Sequence, residues 1–135
     1  MTADIDIQSY LSKAEECLAS ANADYVAGRY NSCANRCYFA CFHAAVAALL
    51  RAGLLRIGPT TPLNHGRVQA QFARELVNRR KELPGSLRGV LRELMDLRQS
   101  ADYEPAFVSE SRASRGLRRA RPFVDAVTSR GGQQR

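Results

Sequence analysis

The sequence predicts an all-α protein, an antiparallel up-and-down bundle of about five helices. Apolar residues recur at helical spacing in five segments, whereas the strict alternation of a β-strand is found in none of them. The 135 residues fit one domain, and no internal repeat or glycine-rich phosphate-binding loop is visible. We expect residues 1–130 to form the domain and residues 131–135 to form a disordered tail.

The segment from Arg29 to Gly53 is the predicted central helix. Small and aromatic apolar side chains surround it on nearly every side, which is typical of a helix packed by several others. Its apolar run from Cys37 to Leu50 spans 14 residues, fewer than the roughly 20 that cross a bilayer, so we expect no membrane span. Three cysteines lie four residues apart in it, and we favour small buried thiols over metal ligands.

The other segments follow in order. Residues 6–27 predict a first helix that Gly28 ends, and residues 54–64 predict an irregular loop with Asn64 capping the next helix. Residues 65–81 predict the third helix. A fourth begins at Gly85 or Ser86 and continues to about Tyr103.

The fifth helix is predicted over residues 109–129. Its sequence carries Gly116 and Pro122 near the middle, and Pro122 predicts either a kink near Arg118 or a restart of the helix there. With so much alanine and leucine on two helices, apolar surface is left after the core is filled, so we expect a homodimer that buries parts of the second or fourth helix.

Net charge is +7 and unevenly distributed. Residues 1–28 hold five carboxylates against one lysine, while residues 111–135 hold seven arginines against one aspartate. A basic pole of this kind favours RNA or DNA, although a general preference for arginine explains it equally well. The chain opens with no secretory or transit signal, so we expect a cytoplasmic protein with free thiols.

Two groups of residues could carry chemistry. Arg36 and His43 are seven residues apart on one helix face, which suits either a phosphate grip or a hydrogen-bonded core histidine beside a packed arginine, and we favour the second interpretation. Arg98, Asp102 and Tyr103 end the fourth helix before Pro105. They form either an exposed ion pair with an aromatic stop, or a cleft that holds phosphate and a base. His65 is the only other histidine, and we expect no metal and no cofactor.

These segments resemble HEPN domains (higher eukaryotes and prokaryotes nucleotide-binding), in particular the small stand-alone bacterial and archaeal proteins. The resemblance is carried by YNSCANRCYFACFHAAVAALLRAG, NHGRVQAQF and LRQSADY, and it covers residues 8 to about 127. It implies a dimeric α-bundle, often paired with a nucleotidyltransferase in toxin–antitoxin or other defence-like modules.

Catalytic members of that family are metal-independent ribonucleases that use an arginine followed by histidine four to six residues later. Arg98 takes the arginine position, but Asp102 and Tyr103 stand where that histidine is expected. Two functions therefore stay open. The first is a nucleotide- or RNA-binding dimer that acts with a partner protein. The alternative is an endoribonuclease toxin that uses Arg98 with His43 or His65 brought across the dimer.

Overall fold

Five α-helices dominate the chain, and no strand occurs in the part that the structure describes, so the predicted all-α class is confirmed. The computed structural model describes residues 2–58 and 62–133. The helices are α1 (Thr2–Val26), α2 (Tyr30–Arg51), α3 (His65–Gln71), α4 (Val90–Tyr103) and α5 (Glu110–Gln133). A π-helix (Phe72–Arg79) continues α3, and a 3₁₀ turn (Gly85–Leu87) precedes α4.

The central helix is α2, as predicted. It packs along α1 and contacts α4 and α5 on its other sides, so that most of its residues are buried. By length and composition alone α2 could cross a membrane, but 72% of its most apolar window is buried inside this bundle. The described part of the chain thus uses its most apolar segment as the core of a helical domain.

Glycine and asparagine end and begin the helices where the sequence predicts. Gly28 (φ +79°) and Gly53 (φ +75°) adopt the left-handed conformation that L-residues with a side chain rarely take. The side chain of Asn64 accepts a hydrogen bond from the backbone N–H of Arg67 at 2.9 Å. This cap sets the start of α3 at His65, so the imidazole extends from the first residue of that helix.

Two predicted helix bounds are wrong near residues 72–90. The third helix is α-helical only to Gln71 and then widens into the π-helix, which an i→i+5 bond from Arg80 N to Glu75 O closes at 2.9 Å. The wider turn directs its apolar side chains inward, since Phe72, Leu76 and Val77 are all buried. The fourth α-helix begins at Val90 instead of residue 85 or 86, because residues 85–87 form the separate 3₁₀ turn.

Both ends of the bundle extend further than predicted. Helix α1 starts at Thr2, and α5 runs without interruption through the exposed Pro122 to Gln133. Apolar residues on either side of the proline are buried, which holds both halves of α5 against the core. Residues 131–133 of the expected tail are therefore helical, and residues 134–135 lie outside the described residues.

Candidate functional site

One half-buried aromatic ring, Phe39 of α2, is the centre of the candidate site. The guanidinium carbon of Arg36 lies 5.4 Å from its ring centroid, and that of Arg98 lies 5.3 Å from it. Arg36 stands three residues before Phe39 on the same helix, whereas Arg98 reaches it from α4. Both distances suit a cation–π contact, so a single ring holds two positive charges.

An amide and a carboxylate connect these two guanidinium groups. Nε of Arg98 and Nδ2 of Asn35 each donate to Oδ2 of Asp102 at 3.0 Å. Oδ1 of Asn35 in turn accepts from Nε of Arg36 at 3.0 Å and from its Nη2 at 2.6 Å. The chain of bonds runs from α4 to α2 and fixes the orientation of both arginines.

The Arg98–Asp102 pair is more enclosed than an ordinary surface pair. Its side chains are 20% and 26% exposed, against 79% and 64% for Arg92 and Asp96, which have the same i, i+4 spacing on the same helix. The pair still borders solvent, so both interpretations of Arg98 and Asp102 stay open, but its side chains are less accessible than those of the matched pair. The salt bridge engages Nε of Arg98, and among the described residues its Nη1 has only the weak acceptor Sδ of Met95 at 3.8 Å.

Tyr103 provides an open aromatic surface beside this pair. The Arg98 guanidinium carbon lies 5.9 Å from its ring centroid, while 74% of Tyr103 is exposed. The ring ends α4 and leaves one face for solvent or for a ligand. A flat π-surface next to a guanidinium is suited to stacking on a base.

His65 lies in the same cluster and in the same chain. Its ring stacks on Phe42 at 4.3 Å between centroids, and its Nδ1 lies 2.6 Å from the hydroxyl of Tyr38, which also accepts from Nε2 of Gln69 at 3.3 Å. Burial, and then the nearby Arg98 guanidinium, lower the pKa of His65, so its imidazole is neutral at neutral pH. His65 and Arg98 of one chain thus lie against the same Phe39 ring, at 6.0 Å and 5.3 Å from its centroid.

His43 lies on the inner side of the cluster, between Tyr10 at 5.7 Å and Phe39 at 6.1 Å. Its Nδ1 is buried without a hydrogen-bond partner among the described residues, so the prediction of a hydrogen-bonded core histidine is wrong for that atom. Burial, with smaller effects from Lys13 and Arg36, lowers the pKa of His43 to about 4. An imidazole of this kind is a neutral packing group at physiological pH.

Of the six residues singled out in the sequence, four lie within 6.1 Å of the Phe39 ring centroid, whereas Asp102 and Tyr103 contact Arg98. Sequence reasoning missed the two residues that join them. In the sequence, Phe39 looks like an ordinary core side chain, and Asn35 looks like a single polar residue in an otherwise apolar helix. The signal for Asn35 was present, since it adjoins Arg36 on a helix with few other polar groups.

The cysteines have no part in this cluster's polar bonds except for Cys17, whose sulfur lies 3.7 Å from Nη1 of Arg36. All four are buried free thiols, as predicted, and burial raises the pKa of Cys41. Within the described residues, no group of three or more histidine, cysteine, aspartate or glutamate side chains is placed to hold a metal ion.

The amino-acid sequence also matches a known family. The family model described as the HEPN domain matches residues 7–130. The chain belongs to the HEPN domain family. The resemblance seen in the sequence is thereby confirmed over nearly the whole HEPN chain, whereas no curated protein matches it.

Proposed function

We propose that this HEPN domain binds RNA or a nucleotide through the surface around Phe39, with Arg36 and Arg98 contacting phosphate. The observation that carries the proposal is the placement of both guanidinium groups on one half-buried ring. Like charges that share one ring repel each other, and of these two arginines only Arg98 has a carboxylate partner among the described residues, Asp102. A phosphate group that contacts both guanidinium groups would reduce this repulsion, because its oxygens would accept hydrogen bonds from their free N–H groups.

The excess of positive charge on the chain supports the same ligand class. A net charge of +7 raises the local concentration of polyanions and speeds their encounter with the surface. Tyr103 adds an exposed ring that can stack on an unpaired base. Phosphate contacts would position the ligand, and the aromatic ring would favour single-stranded over duplex segments.

The test is equilibrium binding of a short single-stranded RNA to matched variants on α4. Arg98→Ala should weaken binding by about 1 to 3 kcal/mol, the range for a charge-assisted contact, and should lower the slope of log affinity against log salt by about 0.7. Arg92→Ala removes the same charge from an exposed pair on the same helix and should change affinity by less than about 0.5 kcal/mol. Equal effects of the two substitutions would contradict a localised site. An Arg98→Ala protein that is unfolded, with unchanged affinity per folded molecule, would instead assign Arg98 a structural role.

A homodimer and a partner protein complete the proposal. Family membership supports a dimer that acts in the cytoplasm with a nucleotidyltransferase-type partner in a toxin–antitoxin or defence-like module. Light scattering at micromolar concentration should give twice the chain mass of 14.9 kDa. A monomer mass would count against the dimer, and failure of the two proteins to copurify after coexpression from one transcript would count against the partner.

A second candidate function, metal-independent RNA cleavage, is favoured by the position of His65. A neutral imidazole near Arg98 could take the proton of a ribose 2′-hydroxyl as its oxygen bonds to phosphorus, while the bond from phosphorus to the 5′-oxygen breaks and water protonates that oxygen. Arg98 would neutralise charge on the phosphate oxygens. Cleavage of RNA in the presence of a chelator should then be lost in His65→Gln and kept in His43→Gln. Intact RNA with the unmodified protein would leave binding as the function.

A further inference from the structure

A polar groove continues from the Arg36 side of the candidate site towards the end of the bundle. It lies between the end of α1, the first turns of α2 and the end of α4, and its volume is about 270 Å³. That volume is just below the roughly 300 to 1,000 Å³ of small-molecule sites. Six residues line it: Asp24, Asn31, Ser32, Asn35, Arg36 and Asp102.

Two carboxylates in this groove each keep one oxygen without a hydrogen bond in the described part of the chain. Asp24 uses Oδ1 to accept from Nε of Arg29 at 3.0 Å, and Asp102 uses Oδ2 for its bonds to Arg98 and Asn35. Asp24 is well enclosed, with only 16% of its side chain exposed. The groove therefore offers strong acceptors next to a cluster that offers strong donors.

One wall also offers a donor. Oδ1 of Asn31 accepts from the backbone N–H of Val108 at 2.8 Å, which fixes the amide and leaves its Nδ2 hydrogens for another partner. The hydroxyl of Ser32 lies on the same wall and can donate or accept. The groove thus combines two carboxylate acceptors with the amide donors of Asn31 and Asn35 and the guanidinium of Arg36.

We infer that this groove holds the nucleoside of a nucleotide whose phosphate contacts Arg36 and Arg98, with guanine as the base that matches it best. The inference rests on the proposed function and names its ligand more closely. Guanine presents two adjacent N–H donors, at N1 and the exocyclic amine. Asp24 can accept both, one at its free oxygen and one at Oδ1 beside the bond from Arg29, and O6 of guanine can accept from an amide. Uracil presents a single donor between two acceptors and would leave a carboxylate facing a carbonyl.

The experiment is isothermal titration calorimetry with GMP, IMP and UMP on the folded protein. GMP should bind about tenfold or more tightly than UMP, and IMP, which lacks the exocyclic amine, should bind more weakly than GMP. Asp24→Asn should remove most of the preference for GMP and leave the affinity for UMP nearly unchanged. Arg29→Ala is the matched control. It breaks the ion pair between Arg29, whose side chain is 59% exposed, and Asp24, but it retains the Asp24 carboxylate, so the preference for GMP should persist.

The variants separate failure of this inference from failure of the proposed function. Equal affinities for the three nucleotides, or no binding of GMP at millimolar concentration, would overturn the nucleoside assignment. If Arg98→Ala still weakened RNA binding, the proposed function would stand without it. If Arg98→Ala changed the affinity neither for RNA nor for any of the three nucleotides, the proposed function itself would fail.

Discussion

His43 should make the stability of the fold depend on pH, and the size of the effect follows from its burial. Its pKa is lowered from 6.5 to about 4 in the folded protein, because the cationic form would be half-buried near Lys13 and Arg36. The unfolded chain therefore binds this proton first as the pH falls. The stabilisation is fully present above about pH 6.5 and is lost progressively as the pH falls through about 4.

The gap between those two pKa values corresponds to a ceiling of about 3.4 kcal/mol in the free energy of unfolding. Because His43 is only half-buried, solvent screens part of this, and we expect about 1 to 2 kcal/mol. The assay is urea unfolding followed by circular dichroism from neutral pH to about pH 4, for the unmodified protein and for His43→Leu. Subtracting the two curves cancels the carboxylates that titrate in the same range.

His43→Leu should lose about 1 to 2 kcal/mol less than the unmodified protein over that interval. At neutral pH it should be nearly as stable, because leucine fills an aromatic-lined site and removes a buried nitrogen that has no hydrogen-bond partner in the described part of the chain. Parallel pH profiles for the two proteins would refute the reasoning, since they would mean that the imidazole is charged in the folded state or is hydrated there.

Three further outcomes are expected. Gly116→Ala places a Cβ 3.1 Å from Cδ2 of Leu97. Although alanine favours a helix by about 1 kcal/mol, the close contact should leave the fold less stable by about 1 kcal/mol in urea unfolding. Gly89→Ala is the control, because nothing lies within 4 Å of its Cβ, and it should change stability by less than about 0.5 kcal/mol. Tyr38→Phe removes the hydroxyl next to Nδ1 of His65 and should cost about 1 to 2 kcal/mol by the same assay, so an unchanged midpoint would speak against that hydrogen bond. The four buried thiols should react slowly with a thiol reagent until the chain unfolds, and a chelator should leave the melting temperature unchanged. Rapid labelling of the folded protein, or a large drop in melting temperature with the chelator, would contradict buried, metal-free cysteines.

The fold was largely predictable because its information is local and periodic. The apolar stripe of α2, the stop at Gly28 and the cap at Asn64 are each set by residues within one or two turns. The π-helix was not predictable, because over only two helical turns the same apolar pattern fits both an α-helix and a π-helix. The choice between them depends on how Phe72 and Leu76 meet the core.

The site was predictable only in part. Arg98 and Asp102 share one helix at i, i+4 spacing, so their pairing follows from sequence alone. The contacts of Phe39 with Arg98 and of Asn35 with Asp102 join residues about sixty positions apart, and no local rule indicates them. The same limit applies to His65, whose place beside the Phe39 ring depends on how the start of α3 packs against α2.

Side-chain NMR of the arginines, recorded while a short single-stranded RNA is added, tests most directly whether the Phe39 surface binds phosphate. The Nε–H resonances, assigned with Arg98→Lys and Arg36→Lys, report on each guanidinium separately. Binding at the proposed site predicts that Arg36 and Arg98 shift together and saturate at one RNA concentration while Arg92 stays unchanged. Shifts confined to Arg92 and the arginines of α5, with Arg36 and Arg98 unmoved at saturation, would contradict it.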